Sequence, residues 1–265
     1  MLAARLVTAF GFCVSYLVPC VAQQLVAGSP QAASRDAKAI SIIQGAVNAM
    51  GGANPNDSSA SGTVTITAGS DTDSGTITIL TRGSTQSVEQ ITAGTGTQET
   101  VYSNGLANDS NHIAAKNSYS LELAVSSQST VFPLPMLSAI LSSPDSALLY
   151  VGLENIDDVA CHHIQVWNTY ASQPDFQFLS PFSYREIWID AKTGLPLKTA
   201  YSIRDGSGAT PSTAAETVYS NFQNVGGVLY PFQVSRSLNG TPWMTISITS
   251  VAFNTGLTDS TFSIF

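Results

Sequence analysis

Apolar and hydroxyl side chains take turns along much of this chain, and that alternation limits the fold more than any other feature. Val64, Ile66 and Ala68 alternate with Thr63, Thr65 and Thr67, and Ile77 and Ile79 alternate with Thr76 and Thr78. Tyr119, Leu121, Leu123 and Val125 alternate with Ser118, Ser120, Glu122 and Ala124. Successive side chains on a strand point to opposite faces, so a period of two predicts strands with one buried and one wet face. Gly69-Ser70-Asp71, Arg82-Gly83-Ser84 and Gly94-Thr95-Gly96 supply turns between them. Further strands are predicted over 148–153, 158–167, 184–190, 197–203, 213–225, 229–238 and 243–254. Asp190-Ala191-Lys192-Thr193-Gly194 and Leu238-Asn239-Gly240-Thr241 are hairpin turns by composition. About a dozen regularly spaced, hairpin-connected strands make one antiparallel sheet the economical solution. A sheet of that size curls, and helices must fill or cover its concave face.

Two segments depart from the period of two. From Ser34 to Met50, the residues Ala39, Ile43, Ala46, Val47 and Met50 fall near helical spacing, with Ser34 as N-cap and Gly51-Gly52 as the stop. A polar loop is predicted over 54–61. In mid-chain, Val131-Phe132-Pro133-Leu134-Pro135-Met136-Leu137-Ser138-Ala139-Ile140-Leu141 is apolar on several sides and stops before Pro144. It predicts a short helix over 134–142, with proline tolerated in the first turn.

Composition then narrows class and partners. The chain of 265 residues is 43% hydrophobic and 11% charged, with a formal charge of −8. With 11 Phe, 9 Tyr and 3 Trp to bury, it is not a disordered chain. Ten Lys and Arg against 18 Asp and Glu provide no basic stripe for phosphate neutralisation, which excludes nucleic acid as a partner. The wet face of the sheet is instead built from neutral Ser, Thr, Asn and Gln.

Residues 1–22 read as a secretory signal peptide: Arg5, an apolar run from Leu6 to Val18, then Cys20-Val21-Ala22 before Gln23. The run is too short for a membrane span, and no later stretch is apolar enough for one. Leu17-Val18-Pro19-Cys20 also resembles a lipoprotein signal that would leave a lipid on Cys20. Residues 23–33 are expected to be a disordered N-terminal segment, and residues 34–265 a single domain. Cleavage after Ala22 leaves Cys161 as the one cysteine, so no intramolecular disulfide is expected.

The order of motifs resembles a known family. A secretion signal precedes a helix ending in Met50-Gly51-Gly52, and an antiparallel meander follows. Its second half carries Trp188-Ile189-Asp190-Ala191-Lys192-Thr193-Gly194-Leu195-Pro196-Leu197, then Gly226-Gly227-Val228-Leu229-Tyr230-Pro231-Phe232, then Asn254-Thr255-Gly256-Leu257-Thr258-Asp259-Ser260-Thr261-Phe262. This is similar to the outer-membrane lipoprotein carrier and sorting superfamily (LolA/LolB-like). The resemblance implies an incomplete β-barrel whose hollow is capped by helices and holds acyl chains. The chain departs from the carriers in length and in Ser/Thr/Gly-rich loops such as 205–212, and no residue is assigned to the arginine that latches their lid. The expected fold class is mainly β (α+β): a curved antiparallel incomplete barrel of about 11–12 strands with an N-terminal helix and a short internal apolar helix.

Among residues suited to chemistry, Cys161-His162-His163 is the only cluster. Thiolate and imidazole are metal donors, but on a strand Cys161 and His163 share one face while His162 faces the other way with Ile164 and Val166. His112 is the one other imidazole, and carboxylates such as Asp157 or Asp158 would have to bend inward to complete a site. No metal and no cofactor is therefore expected. Gly-x-Ser-x-Gly is absent, and Asp157, Asp158 and Asp190 fall at strand ends where solvated acids are ordinary, so no catalytic residue is assigned. Trp167, Trp188 and Trp243 read as core or rim anchors.

The sharper candidate is the apolar helix. Phe132, Leu134, Met136, Leu137, Ile140 and Leu141 present more hydrophobic surface than a connection needs. They are either a permanent plug in the hollow or a lid whose place an acyl chain can take. The expected protein is a monomeric, non-enzymatic periplasmic or envelope protein that binds a lipid, lipoprotein acyl chain or other amphiphile. The alternative is an envelope-stress sensor or scaffold that works through contacts with an envelope protein; a hydrolase is a third reading.

Overall fold

A computed structural model describes residues 33–94, 96–110, 116–207 and 211–264. The expected signal peptide, Cys20 and the segment up to residue 32 lie outside the described residues, as do His112 and part of the 205–212 loop. The first half contains helix α1 (Ala37–Ala49) and strands β1 (Asp57–Ala68), β2 (Asp71–Arg82), β3 (Gln86–Ala93), β4 (Gly96–Ser103), β5 (Leu106–Ser110) and β6 (Lys116–Ser118). Helices α2 (Leu121–Ser127) and α3 (Pro133–Ser142) follow. The second half contains β7 (Ser146–Ile156), β8 (Val159–Asn168), β9 (Arg185–Asp190), β10 (Pro196–Ile203), β11 (Thr213–Val225), β12 (Val228–Leu238) and β13 (Thr241–Phe253). Short 3-10 segments occupy Pro174–Phe182 and Asp259–Phe262.

All 13 strands form one open sheet in the order β6-β5-β4-β3-β2-β1-β13-β12-β11-β10-β9-β8-β7. Every neighbouring pair is antiparallel, and all but β1 with β13 are also neighbours in sequence. The first and last strands thus meet in the middle of the sheet, while β6 and β7 are its two edge strands. Because β6 and β7 follow one another in the chain, the segment joining them must cross the open side of the curled sheet. Helices α2 and α3 are that crossing.

The alternation predicted which face is buried. Val64, Ile77, Ile79, Ile164, Ile187, Ile189, Val234 and Ile246 line the concave side at 0–1% exposure. The outer face carries hydroxyl ladders, such as Thr92 with Thr97 at 2.9 Å and Ser61 with Ser250 at 2.9 Å. Bulges at Ser61/Gly62, Tyr150/Gly152 and Arg236/Ser237 bend the sheet. At Gly62 the strands approach so closely that a Cβ would lie 2.1 Å from the Ser247 carbonyl oxygen.

Four expectations need correction. The sheet has 13 strands rather than 11–12. Residues 119–125, predicted as a strand, belong to the approach and body of α2: the Ser120 hydroxyl caps the Leu123 N–H at 3.2 Å, and Ala124 and Ser126 are the buried residues. The Ser126 hydroxyl donates to the Arg204 carbonyl at 2.7 Å, so packing against the opposite wing overrides the local period of two. The N-cap of α1 is Asp36, whose carboxylate accepts from Lys38 and Ala39 N–H at 2.7 and 3.0 Å. Ser34 lies further out, where its carbonyl accepts from Leu148 N–H at 2.8 Å. Strand β1 starts at Asp57, inside the predicted polar loop, because Ser58 pairs with both Thr81 and Phe253.

Candidate functional site

Helix α3 lies in the hollow beside α1 and is built to be buried there. Pro133 and Pro135 occupy its first turn, where no intrahelical N–H is needed. Leu134 and Leu137 are 0% exposed, Phe132 2% and Ile140 8%, and Met136 and Leu141 are half-buried against the same core. The structure therefore brings all six candidate residues together, in contact with α1 and the concave face. Phe132 stacks on Tyr230 with ring centroids 4.7 Å apart and touches Phe253 at 5.7 Å. The crevice left at the N-terminal end of α3, lined by Phe132, Met136, Ile79 and Glu89 among others, has a volume of about 30 Å³. That is room for a water or two and not for an acyl chain. In this state α3 fills the hollow.

The other end of α3 is held by a side chain with no part in the core. The Arg35 guanidinium donates to the carbonyls of Ile140 at 3.3 Å, Leu141 at 2.9 Å, Ser143 at 2.5 Å and Ser146 at 3.0 Å. Those carbonyls at the helix C-terminus lack intrahelical donors, and a cation there also complements the helix dipole. Arg35 is positioned by its own backbone, which lies parallel to β7 through the bridge with Leu148. The edge of β7 and the end of α3 are thus tied to the segment that enters α1.

A second tie crosses the hollow. Arg236, inward-facing on β12, makes two hydrogen bonds with Glu89 of β3, at 2.7 and 2.6 Å. Both side chains are buried, at 6% and 15% exposure. Burial alone would lower the Arg236 pKa, but the adjacent carboxylate outweighs it and holds the guanidinium charged. A bidentate pair between strands on either side of the β1–β13 junction fixes how far the two wings separate.

On β8, Cys161 and His163 are on the outer face and His162 on the concave one with Ile164 and Val166, as alternation requires, so the three do not converge. Among the described residues no group of three His, Cys, Asp or Glu is placed to hold a metal ion. His163 Nδ1 is 2.8 Å from Glu154 Oε1, and Glu154 also accepts from Trp188 Nε1 at 2.9 Å. Those two hydrogen bonds, the Trp188 one first, hold the Glu154 carboxyl below its usual range. Trp188 stacks on His163 at 4.4 Å, with Lys198 4.2 Å from its ring centre. Burial pushes the Cys161 thiol up, helped by Asp190, so it stays protonated. The polar partner of His162 is the Tyr150 hydroxyl at 3.2 Å. Neither described histidine is hydrogen-bonded to a serine, threonine or cysteine.

The residues missed at the level of sequence are charged ones on inward positions. Arg236 follows Tyr230 and Val234 in the inward register of β12, and Arg185 precedes Ile187 and Ile189 in that of β9. A lone arginine in an apolar alternation is the signal that could have found them. Arg35 had none, since its role depends on where α3 ends.

No protein-family model matches the sequence, and no curated protein does. Solved structures do match in three dimensions. A LolA superfamily protein from Nitrosomonas europaea superposes with a TM-score of 0.56 at 15% identity, covering 85% of this chain and 97% of that one. An outer membrane lipoprotein-sorting protein domain from Vibrio parahaemolyticus gives 0.56 at 12% identity, with 85% and 96% covered. A DUF1329 family protein from Desulfovibrio piger gives 0.52 at 14% identity, with 85% and 97% covered. The open curved sheet around an N-terminal helix and an inserted apolar helix is thus a LolA-like fold.

Proposed function

We propose that this protein is a non-enzymatic protein of the bacterial envelope that binds a lipid, a lipoprotein acyl chain or another amphiphile in the concave face of its sheet. The observation that carries this reading is α3: an apolar helix occupies the hollow as a separate piece, and its far end is fastened by one arginine side chain. Burying Phe132, Leu134, Leu137 and Ile140 is worth roughly 1.5–3 kcal/mol each. A long acyl chain gains about 0.8 kcal/mol per buried methylene, enough to replace them. Exchange of helix for acyl chain is therefore close to balanced, which is what reversible loading needs. The signal peptide read in residues 1–22 and the likeness of the fold to an outer membrane lipoprotein-sorting protein domain support the envelope location.

The test is a delipidated preparation titrated with a fluorescent fatty acid. Saturable binding is expected, tightened by Ile140→Asp and by Met136→Asp in protein that still melts cooperatively, since each weakens the packing of the helix that the acyl chain replaces. A second reading, a sensor or scaffold contacting an envelope protein, is favoured by the edge strand β7, which exposes Leu149 (46%), Val151 (45%) and Leu153 (62%). Absence of fatty-acid binding at tens of micromolar probe, the weak end of ordinary ligand affinity, removes the carrier reading and leaves the second.

A further inference from the structure

A second cavity, of about 410 Å³, opens where the sheet fails to close. Its wall comes from both wings: Tyr102 and Asn104 from β4 and the turn after it, and Asn168, Tyr170, Ser183 and Arg185 from the end of β8 to the start of β9. Helix α2 bridges the two. This volume lies within the range of small-molecule sites.

Among the described residues, Arg185 is the one charged residue in that wall. Its Nη2 donates to the Val125 carbonyl at 3.3 Å, and its guanidinium lies 4.7 Å from the Tyr201 ring centre. A guanidinium carries five N–H donors, so one long hydrogen bond leaves most of its capacity turned to the cavity. Among the described residues no carboxylate pairs with it, in contrast to Arg236 and its Glu89. Burial pulls its pKa down, and what offsets that is a ring of tyrosines, Tyr201, Tyr219, Tyr102 and Tyr170, not an acid. A half-buried cation without a counter-ion is costly, and an anion entering the cavity relieves that cost.

Two further features point the same way. Tyr170 takes its place on the wall with a left-handed φ of 51°, stabilised by its N–H on Asn168 Oδ1 at 2.9 Å. Bulky residues rarely adopt that conformation outside sites that need it. Gln128 lines both this cavity and the crevice beside Phe132 and Met136, so the two spaces adjoin.

We propose that this cavity is the headgroup site of the amphiphile: Arg185 takes the carboxylate of a single-chain fatty acid, whose tail runs past Gln128 into the space α3 now fills. The inference rests on the acyl-binding reading above. One positive charge in an otherwise neutral wall matches one negative charge, and the two carboxylate oxygens fit the guanidinium fork. A doubly charged phosphate would leave a charge uncompensated.

The experiment compares a long-chain fatty acid, its methyl ester and the matching alkyl phosphate on the full chain, by displacement of a fluorescent fatty acid. Wild-type protein is expected to bind the acid about tenfold or more tighter than the ester, the scale of a charge-assisted hydrogen bond, and tighter than the phosphate. Arg185→Gln removes the preference for acid over ester while the ester still binds, and Arg185→Lys retains part of it. Equal binding of acid and ester by wild-type protein overturns the headgroup assignment and leaves the acyl-binding reading standing. Preference for the phosphate overturns the carboxylate assignment. Binding of none of the three overturns both. The wild-type comparison decides the matter even where Arg185→Gln does not fold.

Discussion

Removing the Arg35 guanidinium takes a donor from four carbonyls at the end of α3 and the start of β7, of which that of Ser143 keeps the Ser146 N–H at 3.3 Å. Arg35→Gln is therefore expected to lower stability to urea by about 1–3 kcal/mol, the cost of unmet hydrogen bonds to a charged group. Amides of α3 should exchange hydrogen faster while those of β11–β13 do not; unchanged exchange in α3 would mean that Arg35 does not hold the helix. Asp57 is the second residue on which distant segments depend. Its carboxylate accepts from Thr255 N–H at 2.6 Å, Thr255 hydroxyl at 2.8 Å, Gly256 N–H at 3.0 Å and Leu257 N–H at 3.2 Å. Burial alone would raise its pKa, but these donors outweigh burial and hold it below the ordinary 3.8. A carboxyl whose folded pKa is lowered stabilises the fold above its unfolded value and loses that contribution as pH falls through the folded one. The stability gap between wild type and Asp57→Asn should thus be full near pH 6 and shrink below about pH 4. A gap independent of pH would show that the charge is not what counts. The sequence displays both residues, yet neither role was legible there: each depends on partners about 100 to 200 positions away.

At the scale of elements, three of the motifs that carry the family resemblance prove to be one another's packing partners. The stop of α1 at Met50-Gly51-Gly52 docks on the β11–β12 turn, where the Leu229 N–H donates to the Met50 carbonyl at 2.9 Å. A Cβ on Gly51 would lie 2.4 Å from the Gly227 carbonyl oxygen, and its φ is 116°. Gly51→Ala should therefore cost at least about 1 kcal/mol in urea unfolding, since both contact and conformation oppose it. A neutral effect would mean that α1 is free to shift away from that turn. Gly194, ending the Asp190–Gly194 turn, sits over Ala49 at the same end of the helix. Strand and helix positions were legible because their periods differ: β11 runs over Thr213–Val225 as predicted, and α3 begins one residue early, at Pro133. Helix α2 was not legible. Seven residues carry too few turns to express a helical period, and Leu121, Leu123 and Val125 mimic a strand until their neighbours are known. The 3-10 segment Pro174–Phe182 carried no periodic signal either.

For the whole molecule, low charge and open topology have one origin. A single sheet whose ends do not meet needs an apolar inner face, a hydroxylated outer face and something to occupy the space between its wings. The chain supplies that occupant from the connection between its two edge strands. The single curled antiparallel sheet followed from alternation and the incomplete barrel from the family resemblance, and the candidate residues on α3 were legible as an excess of hydrophobic surface. Whether they form a plug or a lid is a matter of what can displace them, which turns on Arg35, the Arg236–Glu89 pair and the cavity at the seam. The most direct measurement is hydrogen exchange of the delipidated protein with and without a saturating fatty acid. Displacement of the helix predicts faster exchange over Pro133–Ser142, with α1 and the central strands β1, β12 and β13 unchanged. Saturable binding that leaves the α3 amides as protected as before, or more so, would contradict it.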